Sequence, residues 1–318
     1  MSVSRHVIVT GGAGFIGSHL AARLLAAGHQ VTILDDLSTG RLENIPPAAD
    51  FIEMDLGREE EYGLLDNLEA AAVFHLAGQS SGEASFYDPL GDLRSHVLST
   101  FWLLEWCQKK QIKRFLYASS MSIYGDPQYL PVDEAHPLAP KTFYAAGKIA
   151  AEAYIKLYQT LGMETTIFRL FSIYGPGQNL ENRRQGMISI YLSFLLAGEP
   201  ILVKGSRERF RDFVYIDDVV EAWLAAWDNA QSYGKVYNVA SGQKSTVSDL
   251  IEALKQVLGC PDYPVEFQEG TPGDQFGVVG DYGALARDLQ WQSQIPLREG
   301  LERLAAFEKR RLKGGCRQ

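Results

Sequence analysis

The sequence predicts an α/β fold, a Rossmann-type doubly wound parallel sheet with a smaller mixed α/β C-terminal substrate lobe. Three observations predict it. Through the first half, short apolar runs alternate with helical patterns. A glycine-rich turn, Thr10-Gly-Gly-Ala-Gly-Phe-Ile-Gly17, joins the first apolar run to the first helical pattern. Beyond Tyr174-Gly-Pro-Gly177 the alternation loosens, and Gly and Pro cluster near 175–177, 198–205 and 270–273.

Residues 6–10 (HVIVT) read as a buried strand, and residues 18–27 as a helix with Leu20, Leu24 and Leu25 on one face. Strands follow at 30–34, 51–54 and 72–76. A helix over about 93–110 precedes a strand at 115–118, a helix over 144–161 follows it, and 165–170 is the sixth strand. Strand–helix alternation implies right-handed crossovers and a parallel sheet. The expected division is a cofactor-binding domain over 1–177 and a lobe over 178–318, with some of the lobe's elements returning to the sheet. Within the lobe, 222–227 and 247–258 read as helices, and the basic stretch 309–315 as a solvated tail.

The chain has 318 residues, 46% hydrophobic and 22% charged, with a net charge of -9. That acidity argues against general nucleic-acid or anionic-membrane binding, which needs basic surface, while leaving room for a local basic pocket. Cys107, Cys260 and Cys316 form neither a CxxC pair nor a His/Cys cluster, so no metal site is expected. Their sparse, odd number suits a reducing cytoplasm. No signal region precedes the first strand, and no apolar run approaches the ~20 residues of a membrane span.

The spacing Gly11-x-x-Gly14-x-x-Gly17 permits a tight turn, a close approach of pyrophosphate to backbone, and close helix–sheet packing. The following helix offers unpaired N–H groups and the positive end of its dipole. Glycine spacing alone also fits any tight strand-to-helix turn. Asp35, at the end of the second strand, adds a carboxylate placed to accept ribose hydroxyls and to repel a 2′-phosphate, which favours NAD over NADP. Arg41, a few residues on, is the one nearby cation that bears on that choice.

Tyr144-Ala-Ala-Gly-Lys148 puts a tyrosine and a lysine on one helical face. A free tyrosine, with a pKa near 10, is a poor base at neutral pH, and a neighbouring ammonium lowers it. Ser120, in the acid-free stretch Ser119-Ser-Met-Ser-Ile-Tyr-Gly125, supplies a hydroxyl to hold a substrate oxygen against Tyr144. YxxxK alone is a common surface pattern; its meaning here comes from the glycine loop and the serine-rich strand end.

Together these residues resemble the extended short-chain dehydrogenase/reductase family, in its nucleotide-sugar epimerase and dehydratase branch. The likeness runs over about 5–300. It is carried by the glycine loop, Asp35, Asp55, His75-Leu-Ala-Gly78, residues 119–125, Tyr144/Lys148, Arg169, Tyr174-Gly-Pro-Gly177 and Arg211-Asp-Phe-Val-Tyr-Ile-Asp217. The resemblance implies that Gly11, Gly14, Phe15, Ile16 and Gly17 hold the cofactor pyrophosphate and Asp35 its ribose. It implies further that Asp55 and Leu56 flank the adenine, that Leu76, Ala77 and Gly78 line the cofactor, and that Tyr174 and Pro176 lie near the nicotinamide end. Tyr144 is the implied base, Lys148 its support and Ser120 its partner. Ser80, Ser122, Ser172, Arg211 and Asp274 are the implied substrate contacts, with Arg211 on the diphosphate. His75, ending a buried strand, reads as structural.

Members of this branch oxidise the sugar at C4. A dehydratase or decarboxylase then uses acidic residues just after the catalytic hydroxyl; here Met121 and Ser122 stand there, and neither can serve as an acid. A 4-epimerase needs no further acid. The expectation is an NAD-dependent 4-epimerase of a nucleotide sugar, of the UDP-glucose/UDP-galactose type. The alternatives are a nucleotide-sugar reductase, an epimerase of a dTDP-, CDP- or GDP-sugar, and a non-catalytic dinucleotide-binding sensor. The chain departs from the family pattern at Ser172 and His96, where asparagine is common, and at Thr271, where an arginine often stands; Lys204, Arg207 and Arg209 are the candidate substitutes for that arginine. The helices over 93–110 and 144–160 carry apolar faces, including Phe101, Leu104, Ile149, Ala153 and Leu157. In the family the matching helices often pair two copies, which implies a homodimer.

Overall fold

A computed structural model describes residues 4–315, apart from residue 184 and residues 271–274. The chain begins with β1 (His6–Thr10), α1 (Phe15–Ala26), β2 (Gln30–Asp35), β3 (Asp50–Glu53) and β4 (Ala72–His75). Then come α2 (Pro89–Leu93), α3 (Ser99–Lys109), β5 (Arg114–Ser120), α4 (Phe143–Thr160), β6 (Glu164–Leu170) and β7 (Ser172–Tyr174). The later part holds α5 (Met187–Ala197), β8 (Ile201–Lys204), β9 (Phe210–Arg211), β10 (Phe213–Tyr215), α6 (Ile216–Trp227), β11 (Lys235–Val239), β12 (Ser245–Thr246), α7 (Val247–Leu258), β13 (Val265–Gln268), α8 (Gly283–Leu289) and α9 (Leu297–Gly315).

Seven strands form one parallel sheet in the order β11-β6-β5-β4-β1-β2-β3, the doubly wound arrangement expected. Strand order reverses at β1, which lies between β2 and β4. A crevice therefore opens at the carboxyl ends of these strands, where such folds bind ligands. Alternate residues serve opposite layers: Val7 and Val9 pack with Leu20, Leu24 and Phe74, while Ile8 packs with Leu34, Val73 and Leu103. Both faces are covered, which is why the strands read as continuous apolar runs.

Lys235–Val239 returns to the sheet beside β6, and α6 packs on α1. The other late strands form two-stranded sheets, β7 with β10, β9 with β12 and β8 with β13. Three expectations need correction. The helix expected over 93–110 starts earlier, at Pro89, and runs from α2 into α3 through a π-helical turn over Arg94–Leu98. Where the turn meets α3, the Ser99 hydroxyl donates to the Ser95 carbonyl and the Thr100 hydroxyl to the His96 carbonyl, both at 2.6 Å. Such back-bonding competes with the regular ladder and bends helices. The helix read at 222–227 begins at Ile216. The basic stretch 309–315 belongs to α9, a 19-residue helix that buries Leu301 and Leu304. No helix among the described residues is long and apolar enough to cross a membrane.

Candidate active site

The glycine loop leaves β1 and enters α1. Gly11 has a φ of +68°, and a Cβ there would lie 2.7 Å from the backbone N of Ala77. At Gly17 a Cβ would lie 2.2 Å from the Gly11 carbonyl oxygen, so loop and helix touch because both lack side chains. Gly14 caps α1, whose first N–H groups have no partner within the helix. The Thr10 hydroxyl oxygen accepts the backbone N–H of Leu76 and Ala77, each at 3.1 Å, and bonds His75 Nδ1 at 2.8 Å. His75 Nε2 bonds the Thr100 hydroxyl at 3.0 Å. Burial pushes this imidazole down to about 3, so it stays neutral and ties β1, β4 and α3 together.

Asp35 faces the loop. Its carboxylate accepts the N–H of Ala13 and of Leu37, each at 2.9 Å. Burial raises its pKa, and these two donors pull it back. A cavity of about 270 Å³ runs from Gly11, Gly14 and Gly17 to Asp35, Asp55 and Leu56. Asp55 holds the Gly57 N–H at 2.9 Å and Arg58 Nε at 3.1 Å. Leu76, Ala77 and Gly78 close the inner wall. Arg41 pairs with Glu181 and Glu43 and bonds Asn179, so its guanidinium is engaged by carboxylates. This cradle fits a dinucleotide without a 2′-phosphate: glycine backbone and a helix N-terminus for the pyrophosphate, and a seated carboxylate for the ribose. Phe15 and Ile16 continue the wall into a second, larger cavity.

That larger cavity, about 710 Å³, is walled by Ser120, Met121, Ser122, Tyr144 and Lys148. Thr142 caps α4, its hydroxyl accepting the Ala145 N–H at 3.1 Å, and the helix turns Tyr144 and Lys148 toward β5. Lys148 Nζ donates to the Ala118 carbonyl at 2.7 Å and lies 4.8 Å from the centre of the Tyr117 ring. Ser120 Oγ accepts the Ser122 N–H at 3.2 Å, which frees its own hydrogen to face Tyr144. The Ser122 hydroxyl is buried and unpartnered. In place of the lowered Tyr144 pKa expected from the sequence, the protein alone shows the opposite. Burial pushes the phenol up to about 12, partly offset by Ser120 and reinforced by Asp92. Burial also pulls Lys148 down to about 7, opposed by Asp92 and Glu152. The spacing rule put the two groups on one face but could not register that both are almost wholly removed from water.

Ser80 and Ser172 line the same cavity; Ser80 bonds Gln185, and Ser172 Oγ lies 4.0 Å from Met121 Sδ. Arg211 lines the same cavity, as do Arg183, Lys204 and Arg209, and its NH1 donates to the Phe210 carbonyl at 2.8 Å. Burial lowers it to about 10, still a cation at neutral pH. Arg207 stacks on Phe267 instead of lining the cavity. Asp274, with the 271–274 stretch, lies outside the described residues. Sequence reasoning missed Gln275, whose side chain bonds the Gly125 carbonyl, and Glu152. Glu152 accepts Ser119 Oγ at 2.6 Å and Arg169 Nε and NH2 at 3.1 and 2.9 Å. Its place eight residues after Tyr144, two turns along the same helix, was the available signal.

A UDP-glucose 4-epimerase of Mycolicibacterium smegmatis is 36% identical over 307 residues, spanning 94% of this chain and 97% of that protein. A UDP-glucuronic acid decarboxylase 1 of Arabidopsis thaliana is 30% identical over 312 residues, spanning 96% of this chain and 70% of that protein. The solved UDP-glucose 4-epimerase of Thermotoga maritima, crystallised with UDP-glucose, superposes with a TM-score of 0.92 at 32% identity, covering 96% of this chain and 99% of that one. The sequence model of the NAD dependent epimerase/dehydratase family matches residues 7–240, and the chain belongs to that family, with NAD as its cofactor.

Proposed function

We propose that this chain is a 4-epimerase of a UDP-linked sugar, of the UDP-glucose/UDP-galactose type, and that residues 178–318 chiefly serve the substrate. One observation carries the choice of reaction. Among the described residues lining the large cavity, Glu83 is the only carboxylate, and it pairs with Lys204 at 3.7 Å. Dehydration or decarboxylation asks for an acid beside the catalytic hydroxyl, where Met121 and Ser122 stand.

In this reading Gly11, Gly14, Gly17, Asp35, Asp55 and Leu56 hold NAD, and Leu76, Ala77 and Gly78 line it. The bound nicotinamide supplies reversible acceptance of the C4 hydride. Ser120 holds the sugar 4-oxygen by donating its free hydrogen, and Tyr144 takes the hydroxyl proton as the C–H bond breaks. The 4-keto sugar turns over in the cavity while Arg211 and its neighbours grip the diphosphate, where guanidinium matches phosphate oxygens in pairs. Tyr144 then returns the proton to the oxygen as the hydride goes back to the opposite face of C4. Ser80, Ser122 and Ser172 contact the substrate along the wall. A second copy packs against the exposed apolar stripe of α4 to form a homodimer.

The test is incubation of the purified chain with UDP-glucose, UDP-galactose, their N-acetyl forms and UDP-glucuronate, without added NADH, followed by sugar analysis. Interconversion at C4 is expected. Loss of water, or loss of carbon dioxide from UDP-glucuronate, would overturn the assignment.

A further inference from the structure

Beneath Tyr144 and Lys148 lies a cluster that the proposed reaction does not use. Asp92, on α2, and His96, on the π-helical turn, are only 2% and 1% exposed. Asp92 Oδ1 accepts Gln79 Nε2 at 2.8 Å and lies 3.6 Å from His96 Nε2. The His96 ring meets the Tyr144 ring edge-on, centroids 5.1 Å apart. Contact with α4 is made at Gly147, the residue before Lys148. A Cβ there would lie 3.2 Å from His96 Cβ and 3.6 Å from Asp92 Oδ2. Asp92 Oδ2 and both His96 nitrogens are buried without a hydrogen-bond partner. Orphaned polar atoms at such depth are costly and call for a reason.

We propose that Asp92 is a positioning residue for Lys148: its carboxylate is the buried counter-charge that favours the ammonium form of the lysine, with Gln79 holding it and the His96 ring packed beside it, against Gly147. The inference rests on the reading of Tyr144 and Lys148 as the proton-transfer pair. The charged and titratable groups facing Lys148 are Asp92, Glu152, His75, His96, Tyr117 and Tyr144. Burial and the neighbouring Lys148 hold both histidines neutral, and burial holds Tyr117 protonated. The Glu152 charge is already answered by both arms of Arg169, with Ser119 and a more distant Lys156 beside it. Around Asp92 stand a neutral amide and a neutral imidazole; burial, and after it Asp88, pushes its carboxyl up, while Gln79 and Lys148 pull it back, which makes Lys148 the cation that favours its ionised form. Among the influences that oppose burial at Lys148, Asp92 is the largest.

The full chain, labelled with 13Cε-lysine, tests this by NMR titration across neutral pH, the Lys148 signal being identified by its loss in Lys148→Met. The wild-type midpoint is expected near about 7. In Asp92→Asn it falls by about one pH unit, the size expected for removing one nearby opposite charge. His96→Asn, which keeps the carboxylate, shifts it much less. Gln79→Leu, which keeps Asp92 but removes the donor favouring its ionised form, shifts it in the same direction as Asp92→Asn and serves if that variant does not fold. An unchanged midpoint in Asp92→Asn or Gln79→Leu, or an equal shift in His96→Asn, overturns the proposal. The titration needs no substrate. A chain that shows the shift yet fails to epimerise UDP-galactose would refute the proposed reaction, not the counter-charge.

Discussion

Tyr144 and Lys148 sit one turn apart, yet burial drives both toward their neutral forms, the phenol up to about 12 and the ammonium down to about 7. A base that holds its proton this tightly in the protein alone needs the positive charge of Lys148 and of the bound oxidised cofactor. Tyr144→Phe removes the proposed base while leaving Lys148, Asp35 and the glycine loop in place. NAD affinity, measured by calorimetry, is expected to stay near wild type while turnover falls by at least about 10²-fold; wild-type rates would remove Tyr144 from the reaction. His75 makes a second residue-scale prediction. Its folded pKa lies at about 3, far below the ~6.5 of an unfolded histidine. Below pH ~6.5 the unfolded chain takes up a proton that the folded one refuses, so stability is lost as pH falls from there toward 3. Asp212, pushed up to about 6 by burial, acts in the opposite sense, so a difference between variants is needed. Between pH 7 and 5 the wild type should lose about 2 kcal/mol more than His75→Asn in urea unfolding, by proton linkage. Equal losses would show that His75 is not held neutral.

At the scale of elements, the loop between β1 and α1 works by contact between backbones. A Cβ at Gly17 would meet the Gly11 carbonyl oxygen at 2.2 Å and Gly12 Cα at 2.8 Å, both main-chain atoms that cannot swing aside. Gly17→Ala should therefore push α1 away from the loop, destabilise the fold by about 1–3 kcal/mol as overpacking does, and weaken NAD binding at least tenfold. Gly28→Ala, at a positive φ but with open space around it, should lose only about 1–2 kcal/mol of backbone preference and keep its affinity for NAD. Equal NAD affinity in the two variants would argue against the loop geometry. This loop was legible in the sequence because three glycines, an apolar strand and an acid at the next strand end all express one local constraint. The same holds for Tyr144 and Lys148, whose spacing is a helical period. The π-helical turn was not legible: Ser99 and Thr100 look like ordinary helix residues until their hydroxyls turn back on the carbonyls of Ser95 and His96. Asp92 was missed for a related reason, since its meaning comes from Gln79 and Gly147, contacts that no periodicity encodes.

Over the whole molecule, legibility fades where strands are short and stabilised by partners distant in sequence. Lys235–Val239 is an edge strand because it pairs with β6, about 70 residues earlier, and Arg114, still further back, bonds Ser232 and the carbonyls of Ala226 and Trp227 in the segment that leads into it. The net charge of -9 likewise hides a cavity lined by Arg183, Lys204, Arg209 and Arg211. The helices expected to pair two copies can be read at this scale. On α4, Ala151, Ile155 and Tyr158 are buried, while Tyr154 and Leu157, with Leu161 just past the helix end, are 37%, 61% and 63% exposed. Leu90 and Leu93, from α2, are also exposed. A two-fold axis along this stripe would bring each leucine of one copy near those of the other, since such an interface uses one patch twice. Each fully covered leucine contributes about 1.5–3 kcal/mol. Glutamates at 157 and 161 would instead set four carboxylates against one another in an apolar seam. The wild type should sediment as a dimer at micromolar concentration, and Leu157→Glu/Leu161→Glu as a monomer with an unchanged far-ultraviolet spectrum. Neither substitution touches the cavity, so the monomer should still bind NAD. A wild type that sediments as a monomer, or a double variant that remains dimeric, would place the partner elsewhere or remove it.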